Sequence, residues 1–249
     1  MVNKILSLLL LAGLFTSSAR AENSLFIEEM TWTEVAASIK SGKQTAIIYA
    51  GSTEQNGPHM VLGKHNLMAR HLAAMIAREL GNALIYPVLP FAPTGDAALR
   101  SGHMRFPGSI SLREEVFGSV IQDLAISAVA AGFRNVLLMG DHGEGQKKLA
   151  AVAKELDTGT RPYGIRVFYV DAVYTQATGE HGGREDSSML MAIDDQSQWV
   201  RKDRLGQADP ANGADAEPKG ASIDEGRRLI DARVQAAVRQ IRELTAGAP

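Results

Sequence analysis

Short apolar runs that pass straight into polar, glycine-rich loops constrain this chain more than any other feature. Ala46-Ile47-Ile48-Tyr49-Ala50 reads as a buried strand and runs into a long loop, Gly51 to Asn66. Asn135-Val136-Leu137-Leu138-Met139 shows no polar alternation and enters Gly140-Asp141-His142-Gly143-Glu144-Gly145-Gln146. Strands buried on both faces read this way, as in a parallel sheet covered by helices. Ala83 to Val88 and Ile165 to Val170 read as further strands. Between them lie helical stripes. One is started by Thr31 or Thr33, one runs from Leu67 to Leu80 and closes at Gly81, and one is opened by a capping box at Ser111-Leu112-Arg113-Glu114 and ends at Gly132. Others cover Lys147 to Leu156, Met189 to Ile193 and a final segment capped by Ser222, while Gln207 to Gly220 reads as a surface excursion. The pattern predicts an α/β chain, a three-layer αβα sandwich with a mainly parallel central sheet, in one domain over 22–249.

The first 21 residues read differently. Lys4, the apolar run Ile5 to Phe15 and Ala19-Arg20-Ala21 supply the charged, apolar and cleavage regions of a signal peptide. The run falls short of the roughly 20 residues a spanning helix needs, and there is no lipobox cysteine. A periplasmic or secreted protein, free of the membrane after cleavage, is the expectation. The chain has 249 residues, so removal of 21 leaves 228, enough for a core without disulfides. Zero cysteines exclude disulfides, thiol nucleophiles and Cys-ligated zinc. Cleavage removes Lys4 and Arg20 and no acid, moving the formal charge from −2 to −4, and no basic stripe points to nucleic acid.

Four polar loops follow strands, and right-handed crossovers bring loops at one end of the sheet together. They carry Glu54, His65, His103, His142, Glu144, His181 and Asp186. A carboxylate and imidazoles among glycines suggest a metal-binding loop. Lone histidines near loops are more often structural, which is the competing reading for His59, His71 and His103. Asp186 could instead cap the helix beginning at Ser187, and Arg184 and Glu185 read as surface charges.

Four ordered motifs then carry a resemblance. Glu54-Gln55-Asn56-Gly57-Pro58-His59-Met60-Val61-Leu62-Gly63-Lys64-His65, His103-Met104-Arg105-Phe106-Pro107-Gly108-Ser109, Gly140 to Gly145, and His181-Gly182-Gly183-Arg184-Glu185-Asp186-Ser187-Ser188 resemble motifs of the creatininase family of metal-dependent amidohydrolases. The resemblance implies the family's three-layer fold, a homo-oligomer such as a hexamer, and hydrolysis of C–N bonds in a small-molecule amide, lactam or formamide. In the family pattern Glu54, His142 and an acid at position 65 hold one metal. A histidine at 56, the same acid and Glu144 hold the other. This chain has Asn56 and His65 there, and an imidazole cannot bridge two cations as a carboxylate does. The expectation is one zinc (Zn2+) per chain rather than two, with manganese (Mn2+) as the other metal considered. Glu54, His65 and His142 are its ligands, and Glu144 is a further ligand or a base. His181, Glu144 and Asp186 are the catalytic candidates, and Asn56, His59 and His103 the candidates for substrate contact. The same two departures support a rival reading, a non-catalytic periplasmic binding protein on this fold.

Overall fold

The computed structural model describes residues 24–159, 166–175 and 180–246. The proposed signal peptide, residue 165 of the fourth strand and Gly179 lie outside them. Thr31, not Thr33, starts the first helix: its hydroxyl accepts the Glu34 N–H while the Glu34 carboxylate accepts the Thr31 N–H, a capping box opening α1 (Trp32–Lys40). β1 (Thr45–Ala50) is buried throughout. It pairs in parallel with β2 (Ala83–Ile85) on one side and β3 (Asn135–Gly140) on the other. β3 pairs in parallel with β4 (Arg166–Tyr169), giving the order β2-β1-β3-β4.

The helices between these strands are α2 (Lys64–Leu80), α3 (Glu114–Ala131) and α4 (Gln146–Gly159). After β4 come α5 (Ala172–Thr175), α6 (Arg184–Ile193) and α7 (Ile223–Thr245). Alternation along the strands divides the core in two. Ile47, Tyr49, Leu137 and Met139 pack with residues of α2, α6 and α7, such as Leu72, Met189 and Val234. Ala46, Ile48, Val136 and Leu138 pack on the other face with Phe117 and Ile121 of α3 and Leu149 of α4. A helix layer on each face of a parallel sheet is the αβα sandwich expected, and it explains why these strands lack polar alternation. Gly81 and Gly132 close α2 and α3 in the left-handed conformation that favours glycine.

Three local expectations are corrected. The strand at 83 ends at Ile85: Tyr86 N–H still donates to Ile47 O at 2.9 Å, but Pro87 has no N–H to extend the ladder, and the chain next bonds β1 where Leu89 N–H donates to Tyr49 O at 3.1 Å. Ser111 does not cap α3. Its hydroxyl accepts the Thr94 N–H at 3.0 Å, and the helix begins at Glu114 behind Arg113, whose side chain makes no cap. Ser111 is instead held in a bridge with Ala92, so the hydroxyl is committed before the helix starts. α6 begins at Arg184, which puts Asp186 inside its first turn rather than at its cap. Ser222 caps α7 as expected, accepting the Glu225 N–H. Among the described residues, no helix is long and apolar enough to cross a membrane.

Candidate metal centre

Parallel strands place all their C-terminal loops at one edge, and the site is built there. Glu54, four residues past β1, is fully buried, and Ser52 Oγ donates to its Oε2 at 2.8 Å. His65 comes from the first turn of α2 and His142 from the loop after β3. Each presents one ring nitrogen to Glu54: His65 Nε2 lies 3.0 Å from Oε1 and His142 Nδ1 3.2 Å from Oε2. The far nitrogens face acceptors. His65 Nδ1–H donates to Asp141 Oδ2 at 2.7 Å, and His142 Nε2–H donates to Glu144 Oε2 at 2.6 Å and Pro93 O at 2.9 Å. These partners leave the inner nitrogens as lone pairs in the neutral rings. Two lone pairs facing a carboxylate repel unless a proton or a cation sits among them.

The electrostatics favour a proton there on His142. Burial opposes charge on Glu54, but the charge of His65 and a hydrogen bond from His142 outweigh it and hold the carboxyl well below the usual range. Burial likewise opposes charge on His142, yet its hydrogen bonds with Glu144 and Glu54 push it up to about 9. The His142 hydrogen bond is also the main cause of a lowered Glu144. Asp141, buried behind His65, is lowered because hydrogen bonding and charge from His65 outweigh its burial, with help from Arg233 at 3.3 Å.

A second pair of imidazoles stands across Glu54. His103 Nε2 and His181 Nδ1 are 3.7 and 3.8 Å from Oε1, and their ring centroids are 4.4 Å apart. Burial is the main cause of lowered values at both, His181 reaching about 4. Two sets, Glu54 with His65 and His142, and Glu54 with His103 and His181, therefore bring three donor atoms within 4.8 Å of one another. They open on a cavity of about 350 Å³.

The loops bring together Glu54, His65, His142, His103 and His181, with Glu144 on the outer nitrogen of His142. Asp186 also lines the cavity, paired with Lys64 at 2.5 Å and accepting the Gly182 N–H at 3.0 Å. That cation, outweighing burial, keeps Asp186 well below its usual range. Asn56 and His59 stand apart from the cavity. Asn56 Nδ2 donates to Glu54 O at 2.8 Å, and fully buried His59 shares a 2.9 Å hydrogen bond with Ser187 Oγ. His71 is exposed and is not among the residues lining the cavity. Arg184 pairs with Glu225, whereas Glu185 lines the cavity rather than the open surface. Sequence reasoning passed over Asp141, Arg233, Lys64 and Gln55. Arg233 had a signal: it interrupts the apolar stripe Ile230, Val234, Ala237 of the last helix, where a charge needs a buried partner.

A family model described as creatinine amidohydrolase, for the creatininase family, matches residues 28–241. The creatinine amidohydrolase of Pseudomonas putida is 25% identical over 256 residues, covering 88% of this chain and 97% of its own. A mycofactocin precursor peptide peptidase of Mycobacterium ulcerans (strain Agy99) is 25% identical over 236 residues, covering 86% and 91%. Solved creatininases in zinc–zinc and manganese forms, 23% and 24% identical, each superpose with a TM-score of 0.70 over 89% of this chain and 98% of theirs.

Proposed function

The chain belongs to the creatininase family, and from that premise we propose that it is a metal-dependent amidohydrolase cleaving a C–N bond in a small amide, lactam or formamide. The observation that supports this most is the convergence of the inner nitrogens of His65 and His142 on the Glu54 carboxylate, with both outer nitrogens held by acceptors. Carboxylates and carbonyls behind ligating histidines are the usual means of fixing a metal site's tautomers. Two imidazoles and a carboxylate suit a catalytic zinc that keeps an open position. Zinc and manganese are the metals named for the solved relatives, and one zinc per chain in the Glu54, His65, His142 set is the composition proposed here.

A bound divalent cation supplies Lewis-acid polarisation and a water of lowered pKa. The chain's own residues do the rest. Glu144, half exposed at the cavity and holding His142 Nε2, can take or return a proton at its free oxygen. His181, kept neutral at ordinary pH, offers Nδ1 as a base that takes the proton released by the attacking water and then passes it to the leaving nitrogen. Lys64 fixes Asp186, and Asp186 fixes the Gly182 backbone, which positions the turn that carries His181. The N-terminal pattern adds the proposal that this chemistry takes place after export, and creatinine and short peptides head the substrates to try because relatives are named for acting on them. Elemental analysis should find about one zinc per chain, falling sharply in His65→Ala and His142→Ala, and the loaded protein should hydrolyse members of an amide and cyclic-ureide panel. Turnover unchanged by His142→Ala would sink the mechanism. Tight binding without turnover under any metal would favour the non-catalytic rival.

A further inference from the structure

We propose that His103 is a catalytic hydrogen-bond donor to the substrate's carbonyl oxygen, its donor edge set by the side chain of Gln55; this rests on the amidohydrolase reading above. Gln55 is buried, and its amide cannot turn freely. Oε1 accepts the Gly57 N–H at 3.0 Å, so the nitrogen end must point the other way. There Nε2 donates to His103 Nδ1 at 2.8 Å. A ring nitrogen that accepts carries the lone pair, so the proton of neutral His103 sits on Nε2. His103 lines the cavity, and Glu54 Oε1, at 3.7 Å from its Nε2, lies beyond hydrogen-bond reach of that N–H.

His181 is held oppositely by the same residue. Its Nε2 meets both the backbone carbonyl of Gln55 at 2.9 Å and Gln55 Nε2 at 3.1 Å; the carbonyl can only accept and is the shorter contact, so Nε2–H donates to it and the bare Nδ1 turns toward Glu54. Two adjacent rings thus present opposite chemistry, a lone pair from His181 and a proton from His103. By distance alone Glu54, His103 and His181 could hold a cation. The Gln55 amide removes one of the three lone pairs that set would need, so His103 is left as a donor. An amide carbonyl oxygen gains negative charge as water adds to its carbon, and a fixed N–H aimed at that oxygen lowers the barrier.

Long-range 1H–15N correlation spectra of the zinc-loaded protein, with His103 assigned against His103→Ala, read the tautomer directly. The expected result is a proton on Nε2 and none on Nδ1. Gln55→Glu should move it to Nδ1, because a carboxylate accepts there, and bound zinc should then rise from about one toward two per chain. His103→Ala should keep the wild-type zinc content, lower kcat about 10²- to 10³-fold on whichever panel amide is hydrolysed, and leave KM nearly unchanged. His103→Gln, which retains an N–H, should recover part of that loss. A proton on Nδ1 in the wild type, or zinc lost from His103→Ala, would overturn the assignment in favour of a ligand role; unchanged kcat would overturn the donor role. If the wild type hydrolyses no amide while the Nε2–H spectrum is as expected, the amidohydrolase reading fails and takes the donor role with it, leaving only the tautomer.

Discussion

Asp141 shows how much of this site depends on a residue that touches no candidate substrate group. It accepts from His65 Nδ1 with one oxygen and from Arg233 with the other, and both partners are nearly buried. Asp141→Asn keeps the shape but loses the charge that fixes the His65 tautomer. Zinc affinity should fall about 10- to 100-fold, as for other outer partners of metal-binding histidines, measured by chelator competition. The same change strands Arg233, and breaking a buried pair costs on the order of 3–5 kcal/mol. Urea denaturation should report that loss, and Arg233→Met added to Asp141→Asn should recover much of the stability without the zinc affinity. Stability and affinity rising together in the double variant would mean Asp141 acts only by pairing Arg233. Glu54, His65 and His142 were legible from type and motif. Asp141 was not, although it lies beside His142, because sequence shows which residues leave a strand but not which way the side chain turns.

Among the elements, helix ends divided into those whose signal was local and those set by tertiary contact. Thr31 and Ser222 cap because their hydroxyls bond within their own first turn, with Thr33 and Glu34 for Thr31 and with Glu225 for Ser222, whereas Ser111 is taken by the Thr94 N–H of a neighbouring loop segment. The crossing of α6 and α7 had no sequence signal, although it holds the site. α6 carries Asp186, α7 carries Arg233, and Gly226 lets them approach so closely that an added Cβ would lie 2.0 Å from Ser188 O. Intrinsic propensity favours alanine over glycine inside a helix by about 1 kcal/mol. Here the clash is with backbone, which cannot swing aside, so Gly226→Ala should destabilise by roughly 1–3 kcal/mol, as overpacking usually does. Denaturant midpoints for this variant and wild type give the sign, and a stabilised Gly226→Ala would show that the two helices can separate without cost.

For the whole molecule, the layer order followed from the unbroken apolar runs of β1 and β3, but the meeting of four loops around one carboxylate gives the fold a pH dependence that no single run encodes. His181 is lowered to about 4 from an ordinary value near 6.5, so between those values the unfolded chain binds a proton that the folded chain refuses, and stability falls on acidification. Glu54, Asp141, Glu144 and Asp186, all held below their usual range, deepen that loss once the pH drops below about 4. His142 has the opposite sign. Raised to about 9, it contributes stability that is fully present below about 6.5 and is lost as the pH climbs through 9. The metal-free protein should therefore be most stable near pH 6.5, with Tm falling on both sides. A cation at Glu54, His65 and His142 replaces the proton that His142 holds, so its binding strengthens as protons compete less. The zinc-induced rise in Tm should grow steadily from pH 6 to 9, and thermal melts with zinc and with chelator across that range measure it. A chelated protein whose Tm stays flat from pH 6.5 to 9 would mean that His142 carries no such proton, and that Glu54 is not the shared partner of its neighbouring rings.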